Sequence, residues 1–97
     1  MATYWILVNW TEQGIKNVKE SPRRLDAGRE LGKKFGVELK DFFMTIGPYD
    51  MLSRVEAGSD EAVAKFVLAL CSGGNIRTTT LKAFPETEYR EIIKALP

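Results

Sequence analysis

The amino-acid order predicts an α+β fold, with four strands and two long helices in the order β-α-β-β-α-β and a short helix after the last strand. Three observations carry this. Thr3-Tyr4-Trp5-Ile6-Leu7-Val8-Asn9 is aromatic and β-branched with apolar residues in both registers, the pattern of a strand covered on both faces. Val63, Phe66, Val67 and Leu70 follow the i, i+3, i+4, i+7 spacing of a helix with one apolar face. Glycine and proline pairs, Gly47-Pro48 and Gly73-Gly74, punctuate the chain between periodic segments.

Taken in order, strand one leads to Thr11, which is expected to cap a short helical turn over Glu12 to Lys19 because its hydroxyl satisfies a free N–H and the acidic first turn suits the dipole. Ser21-Pro22 predicts a new helix with Ser21 as cap and Pro22 in its first turn. Leu25, Gly28, Gly32 and Phe35 share one face of that helix, and the two glycines four apart predict a close approach to the sheet. Gly36 ends it in the left-handed conformation. Val37 to Ile46 reads as an edge strand, with Val37, Leu39 and Phe43 on one face and Lys40, Phe42 and Met44 on the other. Tyr49 to Ala57 resumes an extended pattern, with Met51, Ser53, Val55 and Ala57 opposite Asp50, Leu52, Arg54 and Glu56.

Gly58-Ser59-Asp60-Glu61 supplies a cap and an acidic first turn for the second long helix, which Gly73-Gly74 stops. Ile76 to Phe84 is a Thr-rich fourth strand. Pro85 opens a last helix with Tyr89, Ile92, Ile93 and Leu96 as its apolar side. The whole is the split βαβ, ferredoxin-like arrangement, a single domain over residues 1–97. Right-handed crossovers place both long helices on one face of an antiparallel sheet. The first strand is apolar toward the other face too, and soluble monomers leave few apolar patches above a few hundred Å². A two-fold homodimer packed sheet on sheet is therefore expected, closing an α+β barrel, with larger oligomers open.

Composition excludes several classes of function. Fourteen Lys and Arg against 13 Asp and Glu leave +1, far from the basic balance that drives nucleic-acid binding, and no strand carries exposed aromatics among bases. The basic run from Lys16 to Lys34 is interleaved with acids and reads as a solvated helix surface. Histidine is absent, which removes the commonest general base and metal ligand, so no metal site and no cofactor is expected. A lone cysteine, Cys71, and no apolar run of membrane length lead to the expectation of a reduced, cytoplasmic protein without membrane contact.

Thr11-Glu12-Gln13-Gly14 after strand one, Gly47-Pro48-Tyr49-Asp50 at the second hairpin and Gly74-Asn75-Ile76-Arg77-Thr78 before the last strand resemble the GYD domain family, whose signature is Gly-x-Tyr-Asp. The resemblance runs over nearly the whole chain. It implies a small ferredoxin-like domain that pairs as a dimeric α+β barrel, and it names no reaction.

The candidate ligand-binding residues are Asn9, Trp10, Thr11, Tyr49, Asp50, Arg77 and Thr78. Asp50 is either a hairpin lock accepting turn N–H groups or an acid, base or acceptor facing a cavity. Arg77 can clamp a carboxylate or phosphate, or pair with Asp50 or Glu56. Asn9, Trp10 and Thr11 lie where strand one meets the first helix, a sheet end at which ligands often bind. Three functions stay open: a homodimeric domain holding a small, anionic or aromatic molecule in a barrel or interface cavity, a cofactor-independent enzyme of the monooxygenase or isomerase kind with acid–base roles on Asp50, Glu56, Tyr49 or a lysine, and an assembly protein without ligand.

Overall fold

The computed structural model describes all 97 residues. Strand β1 spans Ala2–Trp10, α1 Glu12–Lys16, α2 Ser21–Lys34, β2 Val37–Met44, β3 Met51–Ala57, α3 Asp60–Cys71, β4 Ile76–Ala83 and α4 Glu86–Lys94, with a 3-10 turn at Val18–Glu20. The strands form one antiparallel sheet in the order β2-β3-β1-β4, so the fold is ferredoxin-like and β2 is an edge strand. Alternation along β1 divides its side chains. Tyr4, Ile6 and Val8 are buried beneath the helices with Val55, Ala57, Val63 and Phe66, while Trp5 and Leu7 face the other way and are half-buried.

Four local expectations are corrected. The turn expected over Glu12 to Lys19 is a five-residue helix followed by the 3-10 turn, although Thr11 does cap it, accepting the Gly14 N–H at 3.1 Å. Ser21 does not cap α2. The 3-10 turn delivers the chain to Ser21 already in helical conformation (φ −56°, ψ −44°), whereas a capping residue is extended. In β2 the pairing slips between Leu39 and Asp41, and this bulge turns Phe42 rather than Phe43 toward the helices, beside Val37 and Leu39. The buried Ser53 hydroxyl holds the bulge by donating to the Asp41 carbonyl at 2.9 Å. Pro85 precedes α4 rather than opening it.

Three further signals are found where expected, and one is not. Gly36 is left-handed (φ 72°), and Ser59 caps α3 by accepting the Ala62 N–H at 3.1 Å. A methyl on Gly32 would stand 2.7 Å from the Val37 carbonyl at the start of β2, so that glycine does bring α2 onto the sheet. Gly28 faces α3 instead, where a methyl would meet only the Leu70 Cδ2 at 3.4 Å.

The chain exposes 6648 Å², roughly 1,000 Å² more than the roughly 5,600 Å² that surface scaling gives for a monomer of this mass. Two features account for it. The sheet carries helices on one face alone, and α4 packs only weakly on the other elements, with Tyr89, Ile92 and Ile93 about half exposed. No helix is long and apolar enough to cross a membrane.

Candidate functional site

The three segments Thr11–Gly14, Gly47–Asp50 and Gly74–Thr78 converge on the C-terminal end of β1. On one side, the Asp50 N–H donates to the Val8 carbonyl at 2.9 Å and the Asp50 carboxylate accepts the Trp10 N–H at 3.0 Å, prolonging the β1–β3 ladder past its last residue pair. The Asn9 amide donates to the Pro48 carbonyl at 3.0 Å, and the Thr45 hydroxyl donates to the Tyr49 carbonyl at 2.5 Å. On the other side, the Thr11 N–H donates to the Asn75 carbonyl at 3.0 Å and its hydroxyl to the Gly74 carbonyl at 2.6 Å. Gln13 spans the same loop, its amide donating to the Gly73 carbonyl at 3.1 Å and to Asn75 Oδ1 at 3.0 Å.

Gly14 is buried against this loop. The Asn75 carbonyl oxygen lies 1.9 Å from where a Cβ would stand. Thr11 and Gly14 thus clamp Gly74 and Asn75, and Asp50 clamps Trp10.

The seven candidate residues do not form one pocket. Asn9 and Arg77 are register partners on the helix-free face of the sheet, where Arg77 is exposed and forms no ion pair. Asp50 lies beyond β1 from Arg77, and Glu56 is already paired with Arg54 at 3.1 Å, so neither conceivable pair forms. Trp10 and Thr78 are on the helix side. The Trp10 indole N–H donates to Ser21 Oγ at 3.3 Å, and Thr78 Oγ1 lies 3.5 Å from Cys71 Sγ.

None of the seven lines the apolar cavity on the helix side of the sheet, which sequence reasoning missed. It holds about 290 Å³ between the sheet and helices α2 and α3. Ile6, Val8 and Val55 form its floor and Leu31 and Leu70 part of its roof; 13 of its 19 lining residues are hydrophobic, so an occupant must be largely apolar. Small residues, Ala27, Gly28, Ser53 and Ala69, are among its lining and leave space that larger side chains would fill. Its polar wall comes from Ser21, Arg24 and Asn75, all half-buried. The Arg24 guanidinium donates to the carbonyls of Asn17 at 3.2 Å and Gly14 at 3.4 Å and pairs with no carboxylate. Gly73 and Asn75 of the clamped loop share the lining, so the cavity and the clamp are contiguous.

The helix-free face has a different character. Trp5, Leu7, Phe43, Leu52 and Leu81 alternate onto it from all four strands; Phe43 is 54% and Leu81 49% exposed. Toward β2 it ends in a charged cluster in which Arg54 reaches Asp41 at 2.6 Å and Glu56 at 3.1 Å. On the helix side, the buried Tyr4 donates its hydroxyl to Asp60, which Lys82 also contacts at 2.9 Å. Hydrogen bonding to Asp60, then burial, pushes the Tyr4 hydroxyl up to about 12. The same bond, with Lys82, holds Asp60 below the usual carboxylate range. No cluster of His, Cys, Asp or Glu is placed to hold a metal ion.

The model of the GYD domain matches residues 4–93. The chain belongs to the GYD domain family. The GYD chain is 35% identical over 86 residues to the glutamine synthetase and cystathionine beta-lyase binding protein of Thermus thermophilus, covering 88% of this chain and 90% of that protein. Among solved structures it is similar to a protein of Thermus thermophilus (TM-score 0.57, 23% identity, 88% and 95% of the two chains). FFRP-DM1 is similar at TM-score 0.60 and 21% identity, covering 87% of this chain and 100% of that one. MtbAldR superposes with TM-score 0.67 at 15% identity over 87% of this chain, which spans about half, 52%, of that chain. These structural likenesses establish the ferredoxin-like fold.

Proposed function

We propose that this GYD domain is a cytoplasmic protein-binding module that pairs with itself through the helix-free sheet face and docks on metabolic enzymes. The apolar patch of Trp5, Leu7, Phe43, Leu52 and Leu81 carries the reading. Left in water, such a patch is a standing association surface. The roughly 1,000 Å² of surplus surface compares with the roughly 800 Å² per partner of a standard interface. The name of the Thermus relative, a binding protein for two enzymes, supports a protein as the further partner. The unpaired stripe of α4 supplies a second apolar surface for it.

Sedimentation analysis at micromolar concentration is expected to give a dimer, and immobilised protein to retain purified glutamine synthetase or cystathionine beta-lyase of the host. A monomer that retains neither enzyme overturns the reading.

A second reading, a small-molecule site, is favoured by the cavity on the helix side. Its lining carries no carboxylate and no acid–base pair, which supports binding over catalysis there.

A further inference from the structure

We infer that the helix-side cavity binds a medium-length amphipathic monocarboxylate, its hydrocarbon between the sheet and the two long helices and its carboxylate on Arg24. This rests on the reading of the cavity as a small-molecule site and names the ligand class for it.

Size comes first. A 150 Å³ apolar cavity accommodates benzene, or about 25 Å³ per heavy atom, so the 290 Å³ here has room for roughly 12 heavy atoms. Decanoate matches that count. Polarity comes next. The floor and roof are hydrocarbon, so the occupant buries an apolar tail and gains by the area removed from water.

Charge decides the head group. Arg24 is the one charged residue in the lining, it is half-buried, and no carboxylate neutralises it. A guanidinium has five N–H donors, of which the Asn17 and Gly14 carbonyls use two. The free donors form a planar fork suited to a carboxylate, and the pairing supplies the counter-charge that the fold itself omits. Ser21 and Asn75 add neutral hydrogen-bonding groups to the same wall, so a phosphate-sized polar head is not needed to satisfy it.

The location can be read independently of the affinity, because the two tryptophans report on opposite faces of the sheet. The Trp10 indole is bonded to Ser21 in the cavity wall, whereas Trp5 lies on the helix-free face. The experiment is calorimetric titration of the whole protein with decanoate and with decanol, repeated with Arg24→Gln and Arg24→Lys. Tryptophan emission is followed in the Trp5→Phe and Trp10→Phe backgrounds.

Decanoate is expected to bind at least tenfold more tightly than decanol, a ratio of about 1.4 kcal/mol. Arg24→Gln should erase the ratio and Arg24→Lys restore much of it, with Trp10 emission responding and Trp5 emission still. Equal binding of decanoate and decanol overturns the carboxylate assignment while leaving an apolar cavity site in place. No binding of either by the folded protein up to about 1 mM, equivalent to about −4 kcal/mol, overturns the cavity reading and this inference with it. A response of Trp5 in place of Trp10 puts the ligand on the other face and overturns both.

Discussion

Gly14→Ala is expected to cost more stability than any other single methyl added to a helix of this chain. The ideal Cβ at Gly14 stands 1.9 Å from the Asn75 carbonyl oxygen and 2.9 Å from the carbonyl carbon, and both are backbone. Restoring ordinary contact at about 3.5 Å requires the loop to retreat by roughly 1.5 Å. That retreat breaks the bonds from Thr11 N–H to Asn75, from the Thr11 hydroxyl to Gly74 and from Gln13 to Asn75, now 3.0, 2.6 and 3.0 Å. At about 1 kcal/mol net for each bond, the loss is roughly 3 kcal/mol. Replacing a helical glycine by alanine returns about 0.5–1 kcal/mol, so the net destabilisation is about 2–2.5 kcal/mol. For a domain this size that lowers Tm by on the order of 10–20 °C. Gly28→Ala is the internal control. Its methyl meets only the end of the Leu70 side chain, at 3.4 Å, and points into the cavity wall. It keeps the helix gain and buries a methyl, so stability rises by about 1 kcal/mol. Thermal and urea unfolding at one protein concentration give both values. A Gly14→Ala protein within about 0.5 kcal/mol of the parent, a difference at the level of ordinary surface substitutions, refutes the clamp, as does a Gly28→Ala loss equal to that of Gly14→Ala.

Three further outcomes follow from individual contacts. Val8→Asp buries an unpaired carboxylate in the nine-residue core and is expected to prevent folding by far-ultraviolet dichroism. Asp60→Asn should return the Tyr4 hydroxyl from about 12 toward 10, seen as a shifted alkaline phenolate absorbance. The same substitution acts at low pH: Asp60 is depressed in the folded state, so its stabilisation is complete above the unfolded value near 3.9 and lost as pH falls through the folded one. The acid limb of Tm against pH should flatten in Asp60→Asn. Asp50→Ala removes the acceptor of the Trp10 N–H and should cost about 1–2 kcal/mol in urea unfolding, while Asp50→Asn, which keeps an oxygen there, costs less.

Much of the fold is legible in the sequence because it is written in periodicity. The alternation of Met51 to Ala57 and the stripe of Val63, Phe66 and Leu70 each name a buried face without reference to any distant residue. The bulge in β2 is different. Val37, Leu39 and Phe42 are spaced two and then three apart, and only the pairing with β3 shows that the third residue marks a slip rather than the end of the pattern. Ser21 fails as a cap for a similar reason: its residue type fits, but the 3-10 turn before it has already set its backbone. At the sheet end, sequence reasoning singles out Asp50 and Thr11, yet their partners are the main-chain groups of Trp10, Gly74 and Asn75, which have no signature of their own. The cavity is hidden most thoroughly. Its small lining residues lie on three separate elements, and only Gly28 carries a local hint of close packing.

The alternation of β1 also separates the two surfaces on which a function can be built. Leu7 and Asn9 face one side, Ile6, Val8 and Trp10 the other, so a step of one residue crosses from the helix-free face to the cavity side. Leu7→Asp therefore tests more than pairing. Leu7 is half-buried and its neighbours in register are Leu52 and Thr79, so the carboxylate stays hydrated in a single chain and is buried only when a second sheet covers it. An unpaired carboxylate in that interface costs several kcal/mol, enough to turn a micromolar dimer into a monomer. The cavity lies between the sheet and the two long helices, and Leu7 is not among its lining residues. The Leu7→Asp monomer is accordingly expected to keep its preference for decanoate over decanol within about twofold, a difference of about 0.4 kcal/mol. A folded monomer that has lost the preference would mean that the second copy completes the cavity, and the independence of the two faces would be wrong.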